Sequence, residues 1–117
     1  MLVLTRHRLP IVGLPTLDAA LTEAREVLEL FSGRPGFIRG WVGRAVDDAQ
    51  VLVLAHEWTD VGSYRRALGN YEIKLRAVFL QSAADEASAF EVLTSRSENG
   101  VTDSVSMIAQ SPDELLN

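Results

Sequence analysis

The 117-residue sequence holds few side chains suited to chemistry, so each can be weighed in turn. Its two histidines, His7 and His56, each close an apolar run, after Leu2-Val3-Leu4 and after Val51-Leu-Val-Leu-Ala55. Histidine changes charge closest to neutral pH, so either one suits proton transfer with a bound molecule. His56 and Trp58 are two apart. In an extended segment they share a face, where His56 can hold or deprotonate a phenolic hydroxyl while Trp58 stacks on the ring. Tyr64 and Tyr71 keep helical spacing and can orient a substrate with their hydroxyls. Trp41 is a further aromatic that can line a pocket. Each also has a plainer role, as a strand-end histidine, a packing tryptophan or a core tyrosine with an exposed tip. Arg65 and Arg66 suit an acidic ligand or, more simply, a solvated helix face.

Several other chemistries lack their residues. The sequence has no cysteine, which excludes disulfides, thiolate nucleophiles and Cys-based metal sites. His7, His56 and Glu57 come closest to a metal set, but neighbouring strand residues such as His56 and Glu57 point to opposite faces, so no metal site is expected. There is no Gly-rich nucleotide loop, no phosphate-cradling Gly-Lys-Ser/Thr and no nucleophile elbow. The net charge of −5, from 11 basic and 16 acidic residues, argues against nucleic acid as a partner. No apolar run approaches the roughly 18 to 20 residues of a membrane helix. Arg6, His7 and Arg8 follow the first apolar residues instead of preceding them, unlike a signal peptide, and a cytoplasmic location is expected. At 47% hydrophobic and 23% charged, the composition is that of one folded domain.

The elements that must position these residues follow from periodicity. Leu2 to Arg8 reads as a strand. Thr16 caps a helix that carries Leu17, Leu21, Ala24, Leu28 and Phe31 on one face and stops at Gly33. Phe37 to Val46 reads as a second strand, with Phe37, Trp41 and Ala45 sharing a face. Asp47-Asp48 turns the chain into a third strand, Val51 to Trp58. Thr59 or Asp60 caps a second helix bearing Tyr64, Leu68, Tyr71, Leu75 and Val78, with a kink or break expected at Gly69-Asn70. Ala87 to Ser95 reads as a fourth strand. A polar tail, residues 96–117, follows the domain formed by residues 1–95 and ends in a short helix begun by Ser111-Pro112.

This β-α-β-β-α-β order is the ferredoxin-like α+β arrangement, an antiparallel sheet with two helices on one face and strands one and three central. Both central strands are apolar without alternation, which marks strands buried on both sides. Two helices cover only one side. The other is expected to pack on a second copy, giving a homodimer through the open sheet face. The alternative cover is the tail, through Val101, Val105, Met107 and Ile108. Glu57 alternates away from Trp58, so it should face the partner and pair across the interface with Arg6 or Arg39.

Arg34-Pro-Gly-Phe37 at the entry to strand two, Val51-Leu-Val-Leu-Ala-His-Glu-Trp58 in strand three and Tyr64-Arg-Arg-Ala67 in the next helix carry a family likeness. Over residues 1–95 the chain resembles the antibiotic biosynthesis monooxygenase domain of the dimeric α+β barrel superfamily. The resemblance implies dimers with a pocket between sheet and helices in each subunit. Some members oxidise aromatic polyketides with molecular oxygen and need no metal or flavin. It therefore implies a cofactor-independent monooxygenase acting on a small aromatic or quinol-like molecule. His7 or His56 would take the proton, and Trp41, Trp58, Tyr64 and Tyr71 would bind the substrate. The alternative is a non-catalytic dimeric small-molecule-binding or stress-related module, whose sheet–helix space would be filled with side chains. Other members degrade haem with an Asn on strand one and a Trp and His on the second helical segment. Here those positions fall near His7, Ala67 and Ala77, so the axial ligand is missing and haem degradation is not expected; haem binding without degradation is a third, weaker reading.

Overall fold

Alternation in the central strands decides which side chains enter the core. In a computed structural model, which describes residues 1–106, strand β1 spans Leu2–Arg8. It pairs antiparallel with β3 (Val51–Trp58) in a register that sets Val3 opposite His56, Thr5 opposite Leu54 and His7 opposite Leu52. Every second residue of β3, namely Leu52, Leu54, His56 and Trp58, is buried. The intervening Val51, Val53, Ala55 and Glu57 are half-buried on the opposite face. The uninterrupted apolar run is thus resolved into one face under helices and one face open.

Helix α1 (Leu17–Ser32) begins where the Thr16 hydroxyl oxygen accepts from the Ala19 backbone N–H at 3.1 Å, the cap expected of it. Its buried stripe is Ala20, Ala24, Val27 and Phe31. The expected stripe through Leu21 is rotated: two alanines face the sheet, and their small size lets the helix approach closely while Leu17 and Leu28 pack at the flanks. Strand β2 (Phe37–Arg44) pairs with β3, but its register slips between Phe37 and Arg39. Phe37 lies opposite Trp58, whereas Trp41 lies opposite Ala55. The bulge sends Phe37 to the helix-covered face and Trp41 to the open one, so the two do not share a face as periodicity suggested.

Gly36, at φ +90, carries the chain into β2, and a Cβ there would lie 2.4 Å from the Ser63 side chain. Only glycine allows both that backbone and that approach. The second helical region is broken twice, into α2 (Val61–Leu68), α3 (Tyr71–Lys74) and α4 (Ala77–Gln81). The break at Gly69-Asn70 is as expected: the Asn70 side-chain oxygen caps α3 by accepting from the Ile73 backbone N–H at 3.2 Å. Past that break Tyr71 is exposed, and after a second break at Leu75–Arg76 so is Val78; Leu75 between them is exposed too, so none continues the face of Tyr64 and Leu68.

Strand β4 is only Ala89–Phe90, paired with Leu2 and Val3. The fourth strand expected from Ala87 to Ser95 stops early because the chain from Thr94 onward pairs with itself. Strands β5 (Thr94–Ser97) and β6 (Gly100–Asp103) form a separate two-stranded hairpin. The main sheet has four strands in the order β2-β3-β1-β4, with β1 and β3 central. This is the ferredoxin-like topology, with an open sheet and no closed barrel among the described residues. The expected helix at Ser111-Pro112, and Met107 and Ile108, lie outside the described residues.

Candidate functional site

The buried face of β3 meets α1 and α2 in a cluster of rings. The His56 ring stacks on Phe31 at 4.6 Å between centroids. Phe31 and Phe37 approach Trp58 edge-on at 5.7 Å and 5.4 Å. Tyr64 leans against His56 at 5.6 Å and Trp58 at 5.8 Å. His56 and Trp58 therefore share the helix-covered face and are brought together, the arrangement their spacing suggested. The indole of Trp58, which can only donate, gives its Nε1–H to His56 Nδ1 at 2.6 Å. Burial holds the His56 pKa down at about 4, so the ring is neutral at pH 7.

His7 lies further along the same sheet face, stacked on Phe79 at 4.2 Å. Its Nε2 meets the Thr5 hydroxyl at 2.7 Å and its Nδ1 meets the Ser82 hydroxyl at 2.8 Å. Ser82 in turn donates to the Phe79 carbonyl at 2.6 Å, so it accepts from His7 Nδ1–H, and Thr5 donates to Nε2. Both ring nitrogens are used within the chain. Burial lowers the His7 pKa to about 4, against a smaller opposing effect of the Phe79 backbone. His7 thus ties β1 to the end of α4. Thr5 lies two residues from His7 on the same strand face, a local relation, whereas Ser82 carried no signal in the sequence because its approach is set by tertiary position.

The space between sheet and helices is filled at these histidines: His7, His56 and Trp58 are 1%, 2% and 0% exposed. Tyr64 is half-buried and also lines a cavity of about 400 Å³ with Met1, Val61, Arg65, Leu68 and Phe90. Burial raises the Tyr64 pKa, so its hydroxyl stays protonated and available as a donor. Arg65 and Glu91 put one charge of each sign in the cavity lining. Nothing in the sequence marked Met1, Leu68 and Phe90 as cavity walls, since a lone apolar residue looks the same in a wall and in packing.

Trp41 and Tyr71 stand apart from this cluster. Trp41 is 49% exposed on the open sheet face, with the Arg39 guanidinium 5.7 Å from its ring centroid. Tyr71 is 73% exposed. Glu57 faces the open side as expected, but its partner is Arg39 of the same chain at 2.8 Å, one strand away. Arg6 is taken by Glu86 at 2.9 Å. Arg66 donates to the Ser63 hydroxyl at 3.3 Å. Among the described residues no group of three His, Cys, Asp or Glu side chains is placed to hold a metal ion. Ala67 is sealed in the core at 1% exposure. No described helix is long and apolar enough to cross a membrane.

No family model matches the sequence, and no curated protein matches it. Solved structures do match the fold. SnoaB from Streptomyces nogalater, described as a cofactor-independent oxygenase, superposes with a TM-score of 0.58 at 17% identity, covering 93% of this chain and 95% of that one. A putative antibiotic biosynthesis monooxygenase from Nitrosomonas europaea gives 0.58 at 13% identity over 74% and 80% of the two chains. Rv0793 from Mycobacterium tuberculosis gives 0.58 at 13% identity over 94% and 97%. At such identities the likeness is one of fold, and it is the fold of the antibiotic biosynthesis monooxygenases.

Proposed function

We propose that this chain, which has the fold of the antibiotic biosynthesis monooxygenases, is a cofactor-independent monooxygenase for a small aromatic or quinol-like substrate. One observation carries the reading: a protonated Tyr64 stands between a cavity large enough for such a molecule and a neutral His56–Trp58 pair. In this mechanism the substrate sits in the cavity against Leu68 and Phe90. The Tyr64 hydroxyl and the Arg65 guanidinium stabilise its enolate or phenolate. The anion itself reduces oxygen. One oxygen atom enters the carbon skeleton, the other leaves as water, and the substrate supplies the electrons through loss of its C–H hydrogens. A histidine whose pKa is about 4 accepts protons poorly, so His7 and His56 contribute less as bases than their residue type suggested. His7 secures β1, Trp58 positions His56, and Trp41 belongs to the subunit interface. Tyr71, on the surface, shapes only the outside of the helical region. The working unit is a cytoplasmic homodimer joined through the open sheet face.

Oxygen uptake tests the reading. Metal-free protein is mixed with anthrone and a panel of quinols while oxygen and quinone are followed. One oxygen consumed per quinone formed is expected, and Tyr64→Phe should lower kcat by about tenfold or more. No uptake above buffer across the panel would refute it. The second reading, a non-catalytic binding module, is favoured by the near-complete burial of His56 and Trp58, which leaves no room beside them for a ring. Saturable binding of the same compounds without uptake is its signature.

A further inference from the structure

The two histidines differ in one respect. Both nitrogens of His7 are hydrogen-bonded within the chain, to Thr5 and to Ser82. His56 is as deeply buried, yet only its Nδ1 is engaged, by the Trp58 indole. Its Nε2 makes no hydrogen bond to a described residue. An indole N–H cannot accept, so Nδ1 must be the acceptor, and the proton of the neutral ring resides on Nε2. That Nε2–H is a donor to which no described side chain or carbonyl is bonded, so it is free to serve a bound molecule. The ring that leans on His56, Tyr64, is also a wall of the cavity of about 400 Å³. Tyr64 is half-buried with the cavity on its other side, whereas Phe31 is fully enclosed, so Tyr64 is the neighbour with room to move.

We infer that Trp58 holds His56 in the Nε2–H tautomer so that, when Tyr64 swings aside, His56 meets the ligand as a hydrogen-bond donor and not as a base. The ligand it selects then carries an anionic or carbonyl oxygen, a phenolate or enolate, at the end inserted toward β3. The inference rests on the site proposed above and deepens it. His56 Nε2–H and the Tyr64 hydroxyl become two donors converging on one oxygen. Around His56 the facing groups are Phe31 from α1, Trp58 from β3 and Tyr64 from α2. Arg65 and Glu91 are the charged groups at the cavity.

Two measurements on the wild-type chain test this without depending on turnover. Long-range ¹H–¹⁵N correlation spectra of ¹⁵N-labelled protein report which ring nitrogen carries the proton. Nε2–H is expected for His56, with the Nδ1 resonance shifted by its hydrogen bond and returning to the unbonded position in Trp58→Phe. A proton on Nδ1 overturns the inference. The second probe is p-nitrophenol, whose phenolate absorbs in the visible. Bound to wild type it should ionise about one pH unit lower than free in solution, equivalent to about tenfold tighter binding of the phenolate. In His56→Phe most of that shift should vanish while the Arg65 contribution remains. An unchanged or raised ionisation midpoint on wild type, or no binding at all, overturns the ligand assignment. A lowered midpoint with no oxygen uptake from quinols leaves this inference standing and removes the monooxygenase reading alone.

Discussion

The two buried histidines give this small protein a specific acid sensitivity. Each is held at about 4 by burial, against about 6.5 in an unfolded chain. Between those values the unfolded chain binds protons that the folded one excludes. Stability is therefore complete above pH 6.5, falls as pH drops through the window and levels off below about 4. Each histidine can withdraw up to about 3 kcal/mol over that range. Asp48, held down first by its bond from the Arg8 side chain, and Asp60, held down first by the Ser63 backbone N–H, titrate below the usual carboxylate range, so what they contribute is lost at lower pH than the histidine window. Denaturant midpoints measured from pH 7.5 to 4 should thus fall, and a flat profile would contradict the neutral buried pair. His7 and His56 were both visible in the sequence as candidate bases. The environment that buries both rings was not, because it depends on Ser82 and Phe79 around His7 and on Phe31 beside His56, which are distant in sequence.

The connections between elements rest on a few exact fits. Where β2 begins, Gly36 passes the first turn of α2, and the start of that helix is capped by the Asp60 carboxylate accepting from the Ser63 backbone N–H at 2.7 Å. Gly36→Ala must both adopt a positive φ and push a methyl group into Ser63, 2.4 Å away. It should cost about 2 kcal/mol or more in chemical denaturation, whereas Gly43→Ala, with nothing within 4 Å, should cost under about 1 kcal/mol. Equal losses at both would mean that the contact is not a constraint. Pro-Gly-Phe at residues 35–37 flagged this entry in the sequence. The bulge just after it did not show, since a single extra residue leaves the apolar pattern plausible in either register and only pairing with β3 decides it. That one residue moves Trp41 from the candidate site to the outer face.

Taken whole, the molecule leaves a sheet face bearing Leu2, Leu4, Val51, Val53, Ala55 and Trp41 uncovered by either helical layer. The described part of the tail folds into its own exposed hairpin and does not add a strand to the main sheet. Covering this face with a second copy removes apolar surface at roughly 25 cal/mol per Å². Light scattering should return the mass of two chains, and Val53→Arg, which sets a charge at the centre of the face, should return one. A one-chain mass for the wild type would refute the dimer.

Fold class was legible from the chain alone because it rests on periodicity. Doubly apolar runs at residues 2–4 and 51–55, a 3.6-residue stripe ending at Phe31, and breakers at Gly33 and Gly69 need no knowledge of what lies across the core. Strand order followed from handedness, and β1 and β3 are indeed central. The pairing of His56 with Trp58 was legible for the same reason, since two residues along a strand is a local relation. What only the tertiary structure decided were relations between segments: the orientation of α3 that exposes Tyr71, the bulge that exposes Trp41, the short β4, and the filled space around the histidines. Local pattern reports which face a residue takes along its own element. Whether that face meets a cavity, a ring or solvent is settled by packing volumes contributed from the rest of the chain.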